Sequence, residues 1–397
     1  MLKKNLLLFL LLISATPLIY SQTFNYYQSK YYNLATPFSG SENRYLGEKL
    51  DALALYFNSY FHFDLNSFAT SDKKFNIQIY ANKEAFLKAF KDIPQSSNSF
   101  YFLQYNNNNE DKLVGYVDES KNFNQVFQHY LFIQFLRTFI YAPPLWIEKG
   151  FALYFEKSKY NKSKKEYIHK NNYTWLETLK KITSPNYLSS DNHLIKLDLF
   201  LTMDNKMAQK RLQSFYAQSW GFVNFLLNAP NPIYHRIIWD SIRSLNPTAT
   251  KEENNTICIE AFNWVNKNLF YKDFYEFNQT LSSYPQLINK AIENFNQKKY
   301  NEAKKLFLLA LTLDDENYII YYYLGLICYN QKDYQMANYY YLCAIEQNKE
   351  AAVCYYGLGL SNFYLNQYQE SSLYLNKAIK LNENFRELAK DILDIIE

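Results

Sequence analysis

A period of 34 residues constrains the C-terminal third of this 397-residue chain more than any other feature. Tyrosine recurs at Tyr300, Tyr334 and Tyr368, and residues with small side chains recur at the same interval. These small residues are Ala303, Ala337 and Ser371, then Ala310, Ala344 and Ala378, and also Gly325 and Gly359. Self-similarity at a fixed period of this length indicates stacked repeats, each of which buries its apolar face against its neighbours.

The period and the residue types resemble those of the tetratricopeptide repeat, a helix–turn–helix unit. The resemblance implies that the small residues let two helices cross closely while large aromatic residues fill the gaps between them. The boundaries that follow are 284–317, 318–351 and 352–385 for three repeats, and 386–397 for a capping helix over the last apolar face. The first repeat has Ala291 in place of the glycine. The proline usual after the second helix is replaced by Asp315, Lys349 and Glu383.

In such a stack, the first helix of each repeat lines a concave groove that binds a partner. The expected lining is Ile288, Phe295, Tyr322, Leu326, Tyr329, Tyr356, Leu360 and Phe363, with Ile292, Asn296, Asn330 and Tyr364 beside them. This lining lacks the Lys/Arg set that members of this repeat class use to hold a partner's C-terminal carboxylate. We therefore expect a protein or peptide partner with an apolar segment. The alternative is that these aromatic residues are buried against the chain's own N-terminal domain.

Residues 22–283 have a mixed pattern that differs from the repeats. The expected elements are a helix over 44–62, strands over 75–81, 100–105 and 112–119, a helix after the first of these strands, and helices from Asn122 onward. Pro143 and Pro144 break the long helical stretch once, and Pro144 suits the first position of the next helix. The fold class predicted is therefore an α+β domain with a small sheet, followed by an all-α repeat solenoid.

One stretch of this region carries a further resemblance. PLWIEKGFALYFE contains Pro144, Trp146, Glu148, Gly150 and Ala152, and FYAQSWGFVNFLL follows at 215–227. With the preceding sheet, these motifs resemble the peptidase-MA-like group of gluzincin metallopeptidases, although Glu and Gly are one residue further apart than in the common form. The resemblance implies a helix bearing HExxH, in which two histidines bind zinc and a glutamate acts as base. A glutamate on the next helix would be the third ligand.

Two residues that this chemistry needs are absent from the matching positions. His129 occupies the first ligand position, and Glu148 fits the third ligand. Tyr130 stands at the position of the base and Ile133 at that of the second histidine. A tyrosine with a pKa near 10 is a poor base at neutral pH, and isoleucine cannot bind a metal. We interpret these four residues as a vestigial site, and we expect no catalytic residue, no metal and no cofactor, zinc included.

The expected role of His129 and Glu148 is a hydrogen-bonded or ionic pair that joins two packed helices. A ligand cleft retained without chemistry is the alternative. Tyr154 and Glu156 are expected to be packing or solvated residues. The basic run at 159–170 is expected to be a solvated loop, with contact to an anionic surface as the alternative. We interpret Cys258, Cys328, Cys343 and Cys354 as buried thiols and leave a disulfide open.

Residues 1–21 are predicted to be a secretory signal peptide. Two lysines precede an apolar run from Leu6 to Ile13, and Ser21 is a small residue suited to cleavage. The apolar run is shorter than the roughly 20 residues of a membrane span, and an uncleaved anchor is the alternative. We expect an exported bacterial protein, periplasmic or secreted, whose membrane contact is at most peripheral. The formal net charge of +4 gives no reason to expect nucleic acid as a partner.

These observations predict a non-enzymatic scaffold or assembly factor of the cell envelope. A decayed metallopeptidase-like domain would be joined to repeats that bind a protein or peptide. One alternative is a metallopeptidase with unusual zinc ligands, which zinc analysis would separate from the scaffold. Another is a binder of an envelope polymer such as peptidoglycan, which would use the old substrate cleft.

Overall fold

The computed structural model describes residues 23–70, 73–91, 99–105, 110–118, 123–184 and 193–396. The predicted signal peptide at 1–21 lies outside these residues. The chain divides into two compact units, of which the first consists of Met1–Asp51 and Asp64–Phe127 and the second of Ala52–Phe63 and Gln128–Glu397. The domain boundary predicted between 283 and 284 falls inside the second unit.

The first unit contains a five-stranded mixed sheet. Its strands are β1 (Asn25–Gln28), β2 (Tyr32–Thr36), β3 (Phe75–Tyr80), β4 (Phe100–Leu103) and β5 (Lys112–Tyr116). The order across the sheet is β1-β2-β3-β5-β4, with β2, β3 and β5 parallel and the two edge strands antiparallel to their neighbours. Its helices are α1 (Gly40–Phe61), which is divided between the units, α2 (Leu65–Thr70) and α3 (Lys83–Ala89).

The sequence predicted β3, β4 and β5 but missed the first two strands. β1 is largely exposed and gives little apolar signal. In β2, however, Tyr32, Leu34 and Thr36 are buried and alternate with less buried neighbours. This period of two is the usual pattern of a strand with one buried face, so β2 could have been predicted.

The second unit is mainly helical before the repeats begin. Its elements there are α4 (Phe123–Phe139), α5 (Leu145–Phe155), β6 (Lys159–Asn161), β7 (Glu166–Ile168), a 3₁₀ turn (Tyr173–Trp175), α6 (Leu176–Thr183), α7 (Leu197–Thr202), α8 (Asn205–Lys210), α9 (Leu212–Asn228), α10 (Ile233–Ser244), α11 (Lys251–Ala261) and α12 (Lys267–Thr280). The first residues of α4 belong to the first unit. Pro144 is the residue before α5 rather than its first helical residue.

The basic run at 159–170 is an antiparallel hairpin of β6 and β7, so the prediction of a loop was wrong. The Asn161 side chain accepts hydrogen bonds from the backbone N–H groups of Ser163 and Lys164, which closes the turn. Lys165 completes the turn with a positive φ of 54°. An asparagine that caps its own turn is a known local signal, but the lysines around it obscured the short strands.

The core of the second unit lies where α5 packs against α9. Every residue of α5 except Lys149 is buried. A Cβ atom at Gly150 would lie 2.5 Å from the backbone oxygen of Ser219 on α9, so only glycine permits this approach. The Trp146 ring is fully buried, with its centroid 6.1 Å from that of Phe200. Packing alone therefore accounts for Trp146 and Gly150.

Three helix pairs follow, and the predicted tetratricopeptide-like helical repeats are confirmed. The pairs are α13 (Tyr284–Asn296) with α14 (Tyr300–Leu313), α15 (Tyr318–Asn330) with α16 (Tyr334–Gln347), and α17 (Ala352–Tyr364) with α18 (Tyr368–Leu381). Each turn passes through a residue with positive φ, namely Lys298, Lys332 and Asn366 at 59°, 62° and 60°. A Cβ at Gly325 of α15 would lie 2.6 Å from the Tyr341 ring of α16, which explains that glycine.

A last helix, α19 (Phe385–Ile396), packs against α18 and α17. It covers Leu375 and Ile379 of α18, and its own Ala389 is buried in the contact. The predicted order of a small sheet with helices, followed by helical repeats, is therefore confirmed. Among the helices of the described ranges, none is both long enough and apolar enough to cross a membrane.

Candidate functional site

The hairpin of α4 and α5 holds the residues that the sequence analysis assigned to a vestigial metal site. His129 lies in the first half of α4 and Arg137 in its last turn, whereas Glu148 lies in the first turn of α5 and Glu156 just after its end. A short loop connects the helices. His129 contacts the far end of α5 and Arg137 contacts its near end, so the helices run in opposite directions.

The expected pair of His129 with Glu148 is wrong. His129 Nδ1 lies 2.7 Å from Glu156 Oε1 instead. The second carboxylate oxygen of Glu156 accepts a hydrogen bond of 3.0 Å from Asn172 Nδ2, which also donates to the carbonyl oxygen of Leu153. Eight residues of helix separate Glu148 from Glu156, or about 12 Å of axial rise. Glu156 is therefore a hydrogen-bonded residue rather than a solvated one.

Glu148 is paired with cations at the other end of the hairpin. Its side chain is 1% exposed, and Oε2 accepts a hydrogen bond of 2.6 Å from Arg137 Nε. Lys149 Nζ lies 2.9 Å from Oε1, at ion-pair distance but without the geometry of a hydrogen bond. Burial would raise the pKa of the Glu148 carboxyl, but Lys149 and Arg137 lower it to about 2. Lys251, whose own pKa is lowered by burial, adds a further positive charge nearby.

The other two residues of the predicted vestigial site, Ile133 and Tyr130, also pack within the fold. Ile133 is buried in the core, at 4% exposure. Tyr130 is half-buried, and its ring centroid lies 5.4 Å from that of His129. Within the ranges that the structure describes, no group of three or more His, Cys, Asp or Glu residues could hold a metal ion. His129 is thus hydrogen-bonded to Glu156 while Glu148 is paired with cations, and the hairpin does not bring His129 and Glu148 together.

A second histidine lies in a polar cluster that the sequence did not predict. The hydroxyl oxygen of Tyr56 is 3.1 Å from both Ser158 Oγ and His169 Nδ1. The Tyr154 ring stacks on the His169 ring, with centroids 4.3 Å apart. Burial raises the pKa of Tyr56 and lowers that of His169. These groups are therefore neutral at physiological pH, which suits a hydrogen-bonded core rather than a charged site.

The residues predicted to line the repeat groove share one property. All eight are half-buried rather than fully buried or fully exposed: Ile288, Phe295, Tyr322, Leu326, Tyr329, Tyr356, Leu360 and Phe363. They lie on the first helices α13, α15 and α17, of which α15 packs against α17. Half-exposure at regular positions is compatible with a lining that keeps apolar surface open to a ligand.

Two of these tyrosines are engaged within the fold. Tyr356 donates a hydrogen bond of 3.1 Å to the carbonyl oxygen of Leu388, and its ring lies 5.0 Å from that of Phe385. It therefore holds α19. The Tyr322 ring packs on the cluster formed with Cys354, and burial raises the pKa of its hydroxyl to about 12. Their removal would affect folding as well as binding.

Aromatic pairs recur at the turn of each repeat. The pairs are Phe295 with Tyr300, Tyr329 with Tyr334, and Phe363 with Tyr368, with centroids 5.7, 5.6 and 5.8 Å apart. Tyr364 is half-exposed and stacks on Tyr334, with centroids 4.9 Å apart. These pairs fix the turn of each helix pair, so much of the aromatic content of the repeats has a structural role.

Ion pairs connect the β6–β7 hairpin with the repeats inside the second unit. Lys159 pairs with Asp315 and Glu316, and Lys170 Nζ lies 3.5 Å from Asp315. Asp315 is one of the residues at the position of the missing proline, and its ion pairs were not predicted from the sequence. The four cysteines are free thiols, of which Cys343 is half-buried and the others are buried.

Comparisons with solved structures find helical-repeat proteins. The first TPR of Spaghetti (RPAP3) bound to the HSP90 peptide SRMEEVD is 19% identical, with 28% of this chain and 92% of that chain covered and a TM-score of 0.28. The Arabidopsis OM64 TPR domain is 18% identical, with coverage of 28% and 93% and a TM-score of 0.28. The CopN-Scc3 complex matches with 15% identity, coverage of 45% and 99%, and a TM-score of 0.27. No family model and no curated protein matches the chain.

Proposed function

We propose that this chain is an exported, non-enzymatic scaffold or assembly factor of the cell envelope, whose repeats bind an apolar segment of a protein or peptide. The observation that carries the proposal is the composition of α15 and α17. Neither 13-residue helix contains a charged residue. Even so, Leu326, Leu360 and Phe363 on these helices are only half-buried. Uncharged and partly open helix faces suit an apolar ligand better than a carboxylate.

Leu326 and Leu360 are the sharpest probes of this surface. They occupy equivalent positions in consecutive repeats, 34 residues apart, and neither is among the residues of the three core clusters described in the repeats. Leu342 and Leu373 on the second helices α16 and α18 are matched controls, because both are leucines exposed on the other side of the helix pair, at 45% and 66%. A substitution at the exposed control pair should cost little folding stability, whereas one at the half-buried Leu326 or Leu360 should cost more, so melting is measured for each variant.

In the first experiment, the native cell produces the protein with a photo-crosslinking amino acid at one of the four leucine positions at a time. We expect a discrete adduct from Leu326 and Leu360, identified by mass spectrometry, and none from Leu342 and Leu373. The second experiment measures binding of the identified partner to the Leu326→Lys/Leu360→Lys variant. The loss of anchors that contribute about 2 kcal/mol weakens binding roughly thirty-fold. Adducts only from the control positions, or unchanged binding, would contradict the proposal.

We further propose that the α4–α5 hairpin descends from a gluzincin-like site that has lost its chemistry. The motif residues Trp146 and Gly150 support the resemblance, although packing also explains them. His129 and Glu148 each have a side-chain partner of their own, which gives both residues a reason to persist without zinc. The export part of the proposal is supported by the lysines and the apolar run within 1–21.

A further inference from the structure

A pocket of about 240 Å³ lies among α9, α10 and α12, away from the α4–α5 hairpin and the repeat helices. Three aromatic side chains line it. The Phe225 ring centroid is 4.8 Å from that of Tyr234 and 5.4 Å from that of Phe277. Phe225 and Tyr234 are almost fully buried, so the aromatic part of the wall is fixed by the core.

The rest of the wall combines uncharged residues with two carboxylates. Asp273 and Glu276, one turn of α12 apart, both line it. Tyr234 donates a hydrogen bond of 2.6 Å to Asp273 Oδ2, which fixes the carboxylate and leaves Oδ1 as an acceptor. Ala229, the residue after α9, also lines the pocket. The C-terminal end of a 17-residue helix carries a partial negative charge, which adds to that of the two carboxylates.

Aromatic faces next to carboxylates are the combination that binds organic cations. The ring faces attract a positive charge, with larger effect when water is excluded, and the carboxylates supply the counter-charge. Lys272 Nζ lies 3.9 Å from Glu276 Oε1. Both side chains of that pair are exposed, and Lys272 does not line the pocket. A bound cation would therefore compete with this weak surface pair.

We infer that this pocket binds an alkylammonium or alkylguanidinium group, with the alkyl part against Phe225, Tyr234 and Phe277 and the charge at Asp273 and Glu276. Two sources carry this chemistry: a lysine or arginine side chain of a protein, and a free organic amine. The site is independent of the repeat groove, so either proposal can fail without the other.

The test titrates the full-length mature chain with n-butylammonium, n-butylguanidinium and the neutral 1-pentanol, observed through the ligand's NMR signals. The Asp273→Asn/Glu276→Gln variant keeps the shape of the pocket and the acceptor for Tyr234, and we expect at least a tenfold rise in Kd for both cations. Thr280→Trp at the exposed rim should block binding by size. Glu260→Gln, on the exposed face of α11, is the matched control and should bind as the wild type does.

The source is distinguished by N-acetyl-lysine amide and N-acetyl-arginine amide. If they bind as tightly as the free cations, the ligand is a side chain; if only the free cations bind, it is a small amine. Equal affinity for 1-pentanol and n-butylammonium would overturn the inference, because the charge would then contribute nothing. Unchanged Kd in the double variant, or no saturable binding of any probe, would also overturn it.

Discussion

The substitution Glu148→Gln should destabilise the second unit, because it removes one partner from a buried ion pair. The Glu148 side chain is 1% exposed and faces Arg137 and Lys149. When one partner of a buried pair is lost, the other charge is left without compensation, at a cost of about 3 to 5 kcal/mol. Glutamine keeps the size of the side chain, so a cavity contributes little to the result.

The lowered pKa gives a second route to the magnitude and predicts a pH dependence. The Glu148 carboxyl has a pKa of about 2 in the fold, against an ordinary value of 4.5. A difference of about 2.5 units corresponds to roughly 3 kcal/mol at neutral pH. Because the folded pKa is the lower one, this contribution is complete above pH 4.5 and is lost as the pH falls towards 2. By about pH 3, less than half of it should remain.

Urea unfolding followed by circular dichroism at pH 7 and at pH 3 measures both effects. We expect wild type and Glu148→Gln to differ by about 3 kcal/mol at pH 7 and by less than half as much at pH 3. Glu370→Gln is the control, since Glu370 is exposed in the first turn of α18 and should change the free energy of unfolding little at either pH. Equal stability of Glu148→Gln and wild type at pH 7, or a difference independent of pH, would refute the reasoning.

Three shorter predictions concern the groove, the metal and the N-terminus. Tyr322→Ala/Tyr356→Ala should lower the melting temperature clearly, because both rings pack within the repeats. An unchanged melting temperature would show that the two rings do not stabilise the fold, which would leave only a role in binding. Elemental analysis of the purified mature protein should find clearly less than one zinc per chain, and casein should not be cleaved; one zinc per chain would count against the vestigial site. N-terminal sequencing of the native protein should start at Gln22, and a start at Met1 or Leu2 would contradict export.

The repeats could be predicted because their signal is local and recurs in register. Ala303, Ala337 and Ser371 are all fully buried in the structure, as the spacing of small residues required. The first residue of each predicted repeat, Tyr284, Tyr318 and Ala352, is also the first residue of a helix. The three repeats share one register, so each repeat checks the boundaries of the other two. A wrong boundary in one repeat would have placed its small residues out of register with the others.

The contacts of the α4–α5 hairpin could not be predicted in the same way, because they depend on the direction in which α5 runs relative to α4. The spacing from His129 to Glu148 was compatible with a pair, but spacing does not say which end of the next helix faces a residue. The structure pairs His129 with Glu156 and Arg137 with Glu148. A short connection between two packed helices makes them antiparallel neighbours. If this rule had been applied to the short loop after α4, it would have suggested the pairs of His129 with Glu156 and of Arg137 with Glu148.

Tyr322 and Tyr356 stabilise the repeat stack, whether or not they also contact a partner. Tyr356 anchors α19 through its ring and hydroxyl, and Tyr322 packs on the next repeat. A loss of capture after their removal would therefore combine a folding defect with a binding defect. Leu326 and Leu360 are not among the residues of the core clusters described in the repeats and can change with less effect on the stack. If the repeats bind an apolar segment, its affinity should depend on these two leucines and not on the exposed Leu342 and Leu373.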